Sequence, residues 1–268
     1  MRTCSCVFSS CRRASMLQGD GHPVIVGAVK YMTTRRPVKV ARLPRRNRMK
    51  SEPLLVGVIA SPADLRCALA LREPPDLFEL RLDCLSDILK QLESKIDTLR
   101  AAIIVTAREP GEGGFGNLSL AKRRELLLRF LPRAKYIDVE LRNARAFKSV
   151  LERARKQKVR VILSLHEFKS TPSPRSLRAK VTEAKRLGAD IFKVAVRTEK
   201  PSALARLVDL VIDKQMKLPV SAMGIGKLGA ISRLLLARCG SALNYGSVRS
   251  AHVEGQLPIE VLRSALRR

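Results

Sequence analysis

Lys193 stands in the segment Ile191-Phe192-Lys193-Val194-Ala195, with apolar residues on both sides. A lysine in such surroundings must pair with a carboxylate or lose its proton to desolvation, and a neutral amine is what a carbonyl-attacking nucleophile requires. The competing reading is an ammonium that reaches a sheet rim to meet Glu79 or Glu112. His166, in Ser164-Leu165-His166-Glu167-Phe168, is able to take and return a proton near neutral pH. Alone it would serve equally well to end a strand. An amine and an acid–base group on consecutive strands are the pairing that imine chemistry needs.

Further polar residues interrupt apolar segments. Glu79 and Arg81 are two residues apart, so on a strand both leave the same face. They are read either as a mutually neutralising ion pair or as charges that meet a polar substrate. Arg108 opens the loop 108–116, Arg-Glu-Pro-Gly-Glu-Gly-Gly-Phe-Gly, which is adaptable and lacks the Gly-Lys-Ser/Thr ending of a phosphate loop. Its two carboxylates, Glu109 and Glu112, both offer a way to fix the His166 tautomer, and spacing does not choose between them. Arg233, in Gly229-Ala230-Ile231-Ser232-Arg233, offers a bidentate grip on a carboxylate or is a surface residue. Ser221 is one more polar interruption.

These positions make sense only within the elements that hold them. Short apolar runs rich in β-branched residues recur at 54–60, 77–83, 101–107, 136–141, 159–165, 189–196, 218–224 and 242–248, each followed by a helical pattern. Such alternation predicts βαβ units and a parallel sheet. After the first run the chain reads Ile-Ala-Ser-Pro-Ala-Asp-Leu, without the glycine fingerprint of a dinucleotide fold. The expectation is therefore α/β, a single-domain (β/α)8 TIM barrel. Parallel strands are buried on both faces, which makes their polar residues informative. Most lie toward the strand C-termini, the rim on which active sites of this fold are built.

Composition narrows the partners. The 268 residues carry a formal charge of +28, and the first 50 hold twelve Lys or Arg against Asp20 alone. Nucleic acid, an anionic membrane surface and small anionic substrates all fit that sign. Seven Phe, three Tyr and no Trp leave little for base stacking, and the basic residues of the remainder fall at helical spacings, as solvated faces do. No apolar run reaches the roughly 20 residues of a membrane span. Cys4, Cys6, Cys11, Cys67, Cys84 and Cys239 show no metal-ligand spacing, so no metal is expected. Residues 1–52 read as a basic, disordered extension outside the catalytic domain 53–268. They are either an organelle transit segment or sequence ahead of the true start, with Met32 and Met49 as internal candidates. A cytoplasmic location is expected for the remainder.

Phe78-Glu79-Leu80-Arg81-Leu82-Asp83, the arginine and glutamate of the 108–116 loop, Ser164–Phe168, Ala189–Val196, Ser221–Arg233 and the Gly255-Gln256 pair together resemble the type I 3-dehydroquinate dehydratases, over nearly all of residues 54–268. The resemblance implies a barrel without metal or organic cofactor, a homodimer, and dehydration of 3-dehydroquinate in the shikimate pathway. It implies that Lys193 forms the imine, that His166 is the general acid and base, and that Glu112 orients it. It further implies substrate contacts from Glu79, Arg81, Arg108, Arg233 and Gln256. One departure stands out. The family's lid reads Ser-Ala-Pro-Gly-Gln, and counting back from Gln256 without gaps places His252 at the serine and Glu254 at the proline. His252 is therefore kept as a substrate-contact candidate. The rival readings are a class I aldolase or other lyase on the same barrel, a basic nucleic-acid-binding or membrane-binding protein, and a barrel that has lost its activity.

Overall fold

The computed structural model describes residues 52–267; what the sequence suggests for residues 1–51 lies outside them. Eight strands alternate with eight α-helices in the order β1 (Leu54–Ile59), α1 (Pro62–Ala70), β2 (Leu77–Arg81), α2 (Leu89–Lys95), β3 (Ala102–Thr106), α3 (Leu120–Phe130), β4 (Tyr136–Glu140), α4 (Lys148–Lys156), β5 (Arg160–Glu167), α5 (Pro174–Arg186), β6 (Ile191–Arg197), α6 (Pro201–Ile212), β7 (Val220–Ile225), α7 (Gly229–Cys239), β8 (Leu243–Ser247) and α8 (Ile259–Leu266). All paired strands are parallel, and the sheet runs β7-β6-β5-β4-β3-β2-β1-β8. Its two ends meet where the Ala242 amide donates to the Val220 carbonyl (2.8 Å) and the Ser221 hydroxyl to the Leu243 carbonyl (3.0 Å). The expected barrel is nearly closed, and Ser221 serves that seam.

Strand alternation separates two apolar layers. Phe78, Leu80, Val105, Ile137, Leu163, Phe192 and Val194 face the helices, while Val58, Ile104, Tyr136, Ile162, Ile191, Ala195, Met223 and Tyr245 fill the interior. The interior set shares parity with Glu79, Asp138, Ser164, His166 and Lys193 along their strands. The apolar alternation that glues helices to sheet is therefore what aims the polar residues into the barrel. Helix starts follow the local chemistry. Ser61, Ser119 and Ser173 each accept an amide of the first turn, and Pro62 and Pro174 occupy positions where a missing N–H costs nothing.

The sequence places strand ends within a few residues of the observed ones. His166 belongs to β5 itself rather than to the turn after it, because the ladder with β6 continues through His166–Ala195 and Glu167–Val196. β7 begins at Val220 instead of 218, since Pro219 has no N–H to give a ladder.

Candidate active site

Lys193 rises from β6 into the interior and is 4% exposed. Its Nζ donates to Glu79 Oε1 on β2 (3.1 Å) and Asp138 Oδ2 on β4 (3.0 Å), and lies 4.2 Å from the centroid of the Tyr245 ring. Of the two fates open to a buried lysine, the fold supplies pairing. Of the two partners the sequence allowed, Glu79 is in contact with Lys193, and Glu112 is bound to His166 instead.

His166 sits on the neighbouring strand, two ladder steps beyond the residue facing Lys193, because Ser164 pairs with Lys193 and His166 with Ala195. Its Nδ1 lies 3.1 Å from Glu112 Oε2, and the same oxygen accepts the His166 amide at 3.0 Å. The ring is held at Nδ1, which leaves Nε2 for a substrate. Glu109 goes elsewhere. It accepts from Arg142 (2.7 Å) and Asn143 (2.6 Å), so the choice that spacing left open is made by the turn at Pro110–Glu112, which delivers Glu112 alone to the imidazole. Burial pushes the Glu112 carboxyl up to about 7, opposed in part by Arg108. Burial, then Arg108 and Lys193, holds His166 well below the usual imidazole range. Both shifts favour a neutral ring, the form in which a histidine accepts a proton.

Beneath these groups lies a charge cluster that the sequence reading only half found. Arg108, 2% exposed, donates to Ser164 Oγ (2.7 Å) and meets Asp138 (3.0 Å) and Glu140 (3.2 Å), with Glu79 at 3.9 Å. Arg123 of α3 joins Glu140 from behind. Three buried carboxylates thus meet three buried cations, Lys193, Arg108 and Arg123. Despite burial, Asp138, Glu140 and Glu79 hold the Arg108 guanidinium firmly protonated. Burial alone would raise Asp138, but Arg108 and Lys193 keep it well below the carboxylate range. Asp138 and Glu140 were missed. They interrupt Tyr136-Ile137-Asp138-Val139-Glu140 just as Glu79 and Arg81 interrupt β2, so the same criterion would have found them.

The reading of Glu79 and Arg81 as a mutually neutralising ion pair needs correction. They do not pair with each other. Arg81 binds Asp83 through two hydrogen bonds (3.0 and 2.7 Å) and donates to the Gly113 carbonyl (2.9 Å), which ties β2 to the 108–116 loop. Arg108 also lies deeper than a rim position. Arg233 differs from both. Among the described residues no carboxylate pairs with it, and its Nε and Nη1 donate to the carbonyls of Tyr245, Gly224, Gly229 and Gly255. Burial pushes this guanidinium down to about 10. Lys193, His166, Glu112, Glu79, Arg81, Arg108, Arg233, Gln256 and His252 line one cavity at the C-terminal mouth. No group of three or more His, Cys, Asp or Glu side chains among the described residues is placed to hold a metal ion.

A barrel with a lysine at its centre and a carboxylate-held histidine beside it belongs to the class of enzymes equipped for imine chemistry on carbonyl compounds. The comparisons with known proteins are specific. The model of the type I 3-dehydroquinase family matches residues 60–268. The chain is 35% identical over 196 residues to a 3-dehydroquinate dehydratase of Pyrococcus abyssi, covering 72% of this chain and 86% of that one. It is 34% identical over 210 residues to one of Shouchella clausii, covering 72% and 80%. The crystal structure of 3-dehydroquinate dehydratase from Geobacillus kaustophilus superposes with a TM-score of 0.74 at 29% identity, over 81% of this chain and 91% of that one. The chain belongs to the type I 3-dehydroquinase family.

Proposed function

We propose that this protein dehydrates 3-dehydroquinate to 3-dehydroshikimate, a carbon–oxygen lyase step of aromatic amino-acid biosynthesis, through an imine on Lys193. The observation that carries this is the lysine and the Glu112-held imidazole facing one cavity from adjacent strands. Lys193 gives up its ammonium proton to the neutral His166 imidazole, its amine adds to the C3 ketone, and that proton leaves with the carbinolamine oxygen. Loss of water gives a protonated imine. That electron sink acidifies the adjacent C–H, so His166 Nε2 takes the C2 proton. The resulting enamine expels the C1 hydroxyl, which leaves as water with the proton His166 returns. Hydrolysis of the imine releases product and restores Lys193. Arg233, the cation without a carboxylate, is the partner for the substrate carboxylate, and Glu79, Arg81, Arg108, Gln256 and His252 complete the binding surface. No cofactor enters any step.

We also read the protein as a cytoplasmic homodimer that needs no nucleic acid. Ile231 and Leu235 of α7 and Val261 of α8 leave apolar surface exposed, the kind a second copy covers, and no helix among the described residues is long and apolar enough to cross a membrane. The test of the chemistry is borohydride reduction in the presence of 3-dehydroquinate. We expect an adduct on Lys193, located by peptide mass, that the Lys193→Ala variant lacks. Turnover of aldol substrates with none of dehydroquinate would overturn the reading in favour of an aldolase.

A further inference from the structure

We propose that Asp64 and His252 form a latch that holds the β8–α8 loop across the barrel mouth, so that His252 acts as a positioning residue and not as a carrier of protons. This rests on the dehydratase reading for its kinetic arm only.

The loop between Ser247 and Ile259 contributes His252, Val253 and Gln256 to the cavity wall. On one side it is anchored to the β6–α7 region. The Arg233 guanidinium donates to the Gly255 carbonyl (2.8 Å), the Gly226 amide to the Glu254 carbonyl (3.3 Å), and Arg197 to the Glu254 carboxylate (3.1 Å). Across the mouth, the only hydrogen bond or ion pair among the described residues between the loop and the start of α1 is His252 Nε2 to Asp64 Oδ2, at 3.1 Å. That carboxylate is fully buried, while the His252 side chain is 26% exposed.

Asp64 is unusual in two respects. Among the described residues no lysine or arginine pairs with it, and its Oδ1 has no hydrogen-bond partner. Its other oxygen accepts the Ala60 amide (3.2 Å) and the Ser61 hydroxyl (2.8 Å). Burial pushes the Asp64 carboxyl up, but the hydrogen bonds from His252 and Ser61 outweigh it and keep the group below the ordinary carboxylate range. A buried carboxylate in that state needs a cationic or strongly donating neighbour, and His252 is the one provided. The consequence reaches the site through the loop backbone. Gln256 Oε1 accepts the His252 amide at 2.8 Å, so fixing His252 also fixes the Gln256 side chain at the cavity edge. Next to it, the Gly255 carbonyl holds the guanidinium that faces the anion. His252 thus stands where the family's lid has a serine and ties the lid to α1 instead of relying on a short hydroxyl.

The experiment compares His252→Ala with His252→Gln, whose amide keeps a donor for Asp64, and adds Asp64→Asn with His252→Ala as a double variant. Steady-state turnover of 3-dehydroquinate and tryptic cleavage after Arg249, which is exposed within the loop, are read on each. Loss of one charge-assisted hydrogen bond predicts a KM about tenfold higher in His252→Ala, with kcat changed much less. Cleavage after Arg249 quickens by a similar factor. His252→Gln recovers most of both, and the double variant is no worse in loop cleavage than His252→Ala alone. The latch is refuted if His252→Ala leaves KM and cleavage unchanged. It is equally refuted if kcat collapses at constant KM, which would make His252 a proton carrier. Should the native protein fail to turn over 3-dehydroquinate, the functional reading falls while the proteolysis still decides the latch.

Discussion

Replacing Arg108 by methionine tests whether the charge cluster under the site is balanced as described. Methionine keeps an unbranched apolar stem and most of the volume of the side chain but removes the cation that meets Asp138, Glu140 and Glu79. Arg123 remains for Glu140, and Lys193 for Glu79 and Asp138, so three buried carboxylates share two cations and one charge is orphaned. Breaking a buried ion pair from one side costs about 3–5 kcal/mol. For a domain of this size each kcal/mol lowers Tm by about 2–4 °C, so the variant should melt roughly 6–20 °C below the native protein at pH 8. The orphaned carboxylate then has its folded pKa raised. Its cost is present above that raised value and vanishes as pH falls to the ordinary carboxylate range, so the deficit should shrink between pH 8 and 5. Differential scanning calorimetry of both proteins across that range measures it. A Tm loss under 2 °C, or one that does not vary with pH, would refute the reasoning, because it would mean that Arg108 is dispensable to the charge balance.

Two further substitutions separate orientation from binding. Glu112→Gln removes a carboxyl that burial raises from its ordinary 4.5 to about 7. A raised carboxyl costs the native fold stability as pH climbs through that window, so at about 1.4 kcal/mol per tenfold the variant should gain on the native protein by on the order of 3 kcal/mol between pH 4.5 and 8. Urea midpoints read at several pH values check this, and a flat difference would show that the group is not raised. Arg233→Leu removes the uncompensated cation, and loss of a charge-assisted contact to substrate predicts a KM about 10- to 150-fold higher. Initial rates over a wide substrate range decide it, and an unchanged KM would move the carboxylate site elsewhere.

The fold was legible because its signal is repeated. Eight β-branched runs, each followed by a helical pattern, leave little choice but a parallel α/β arrangement, and errors at one end of one strand do not propagate. Site residues were legible for the same reason. A lysine inside Ile-Phe-Lys-Val-Ala, or a glutamate inside Phe-Glu-Leu-Arg, contradicts the burial that its neighbours announce. Partners were not legible. Whether Glu79 meets Arg81 or Lys193 depends on β2 facing β6 across the barrel, a contact separated by 114 residues that no local spacing encodes. The choice of Glu112 over Glu109 similarly depends on one short turn, and the Asp64–His252 contact on a helix start and a loop brought together by the β1–β8 pairing.

That difference between residues and partners changes how the anion is drawn in. Three arginines lining the mouth suggest a broadly positive rim, and a formal charge of +28 encourages the same view. In the structure Arg81 is spent on Asp83 and Arg108 on Asp138 and Glu140. Lys193 is spent on Glu79 and Asp138. Among the arginines and the lysine that line the cavity, Arg233 alone has no described carboxylate partner, and its guanidinium is fixed by backbone carbonyls that cannot compete for its charge as a carboxylate would. A single fixed cation defines one orientation for a small anionic substrate, whereas three free ones would define several. The acids that neutralise Lys193 and Arg108 therefore do more than balance a buried cluster. On the proposed reading they leave one place for the substrate carboxylate to dock, and that place sets which carbon of the bound molecule faces Lys193.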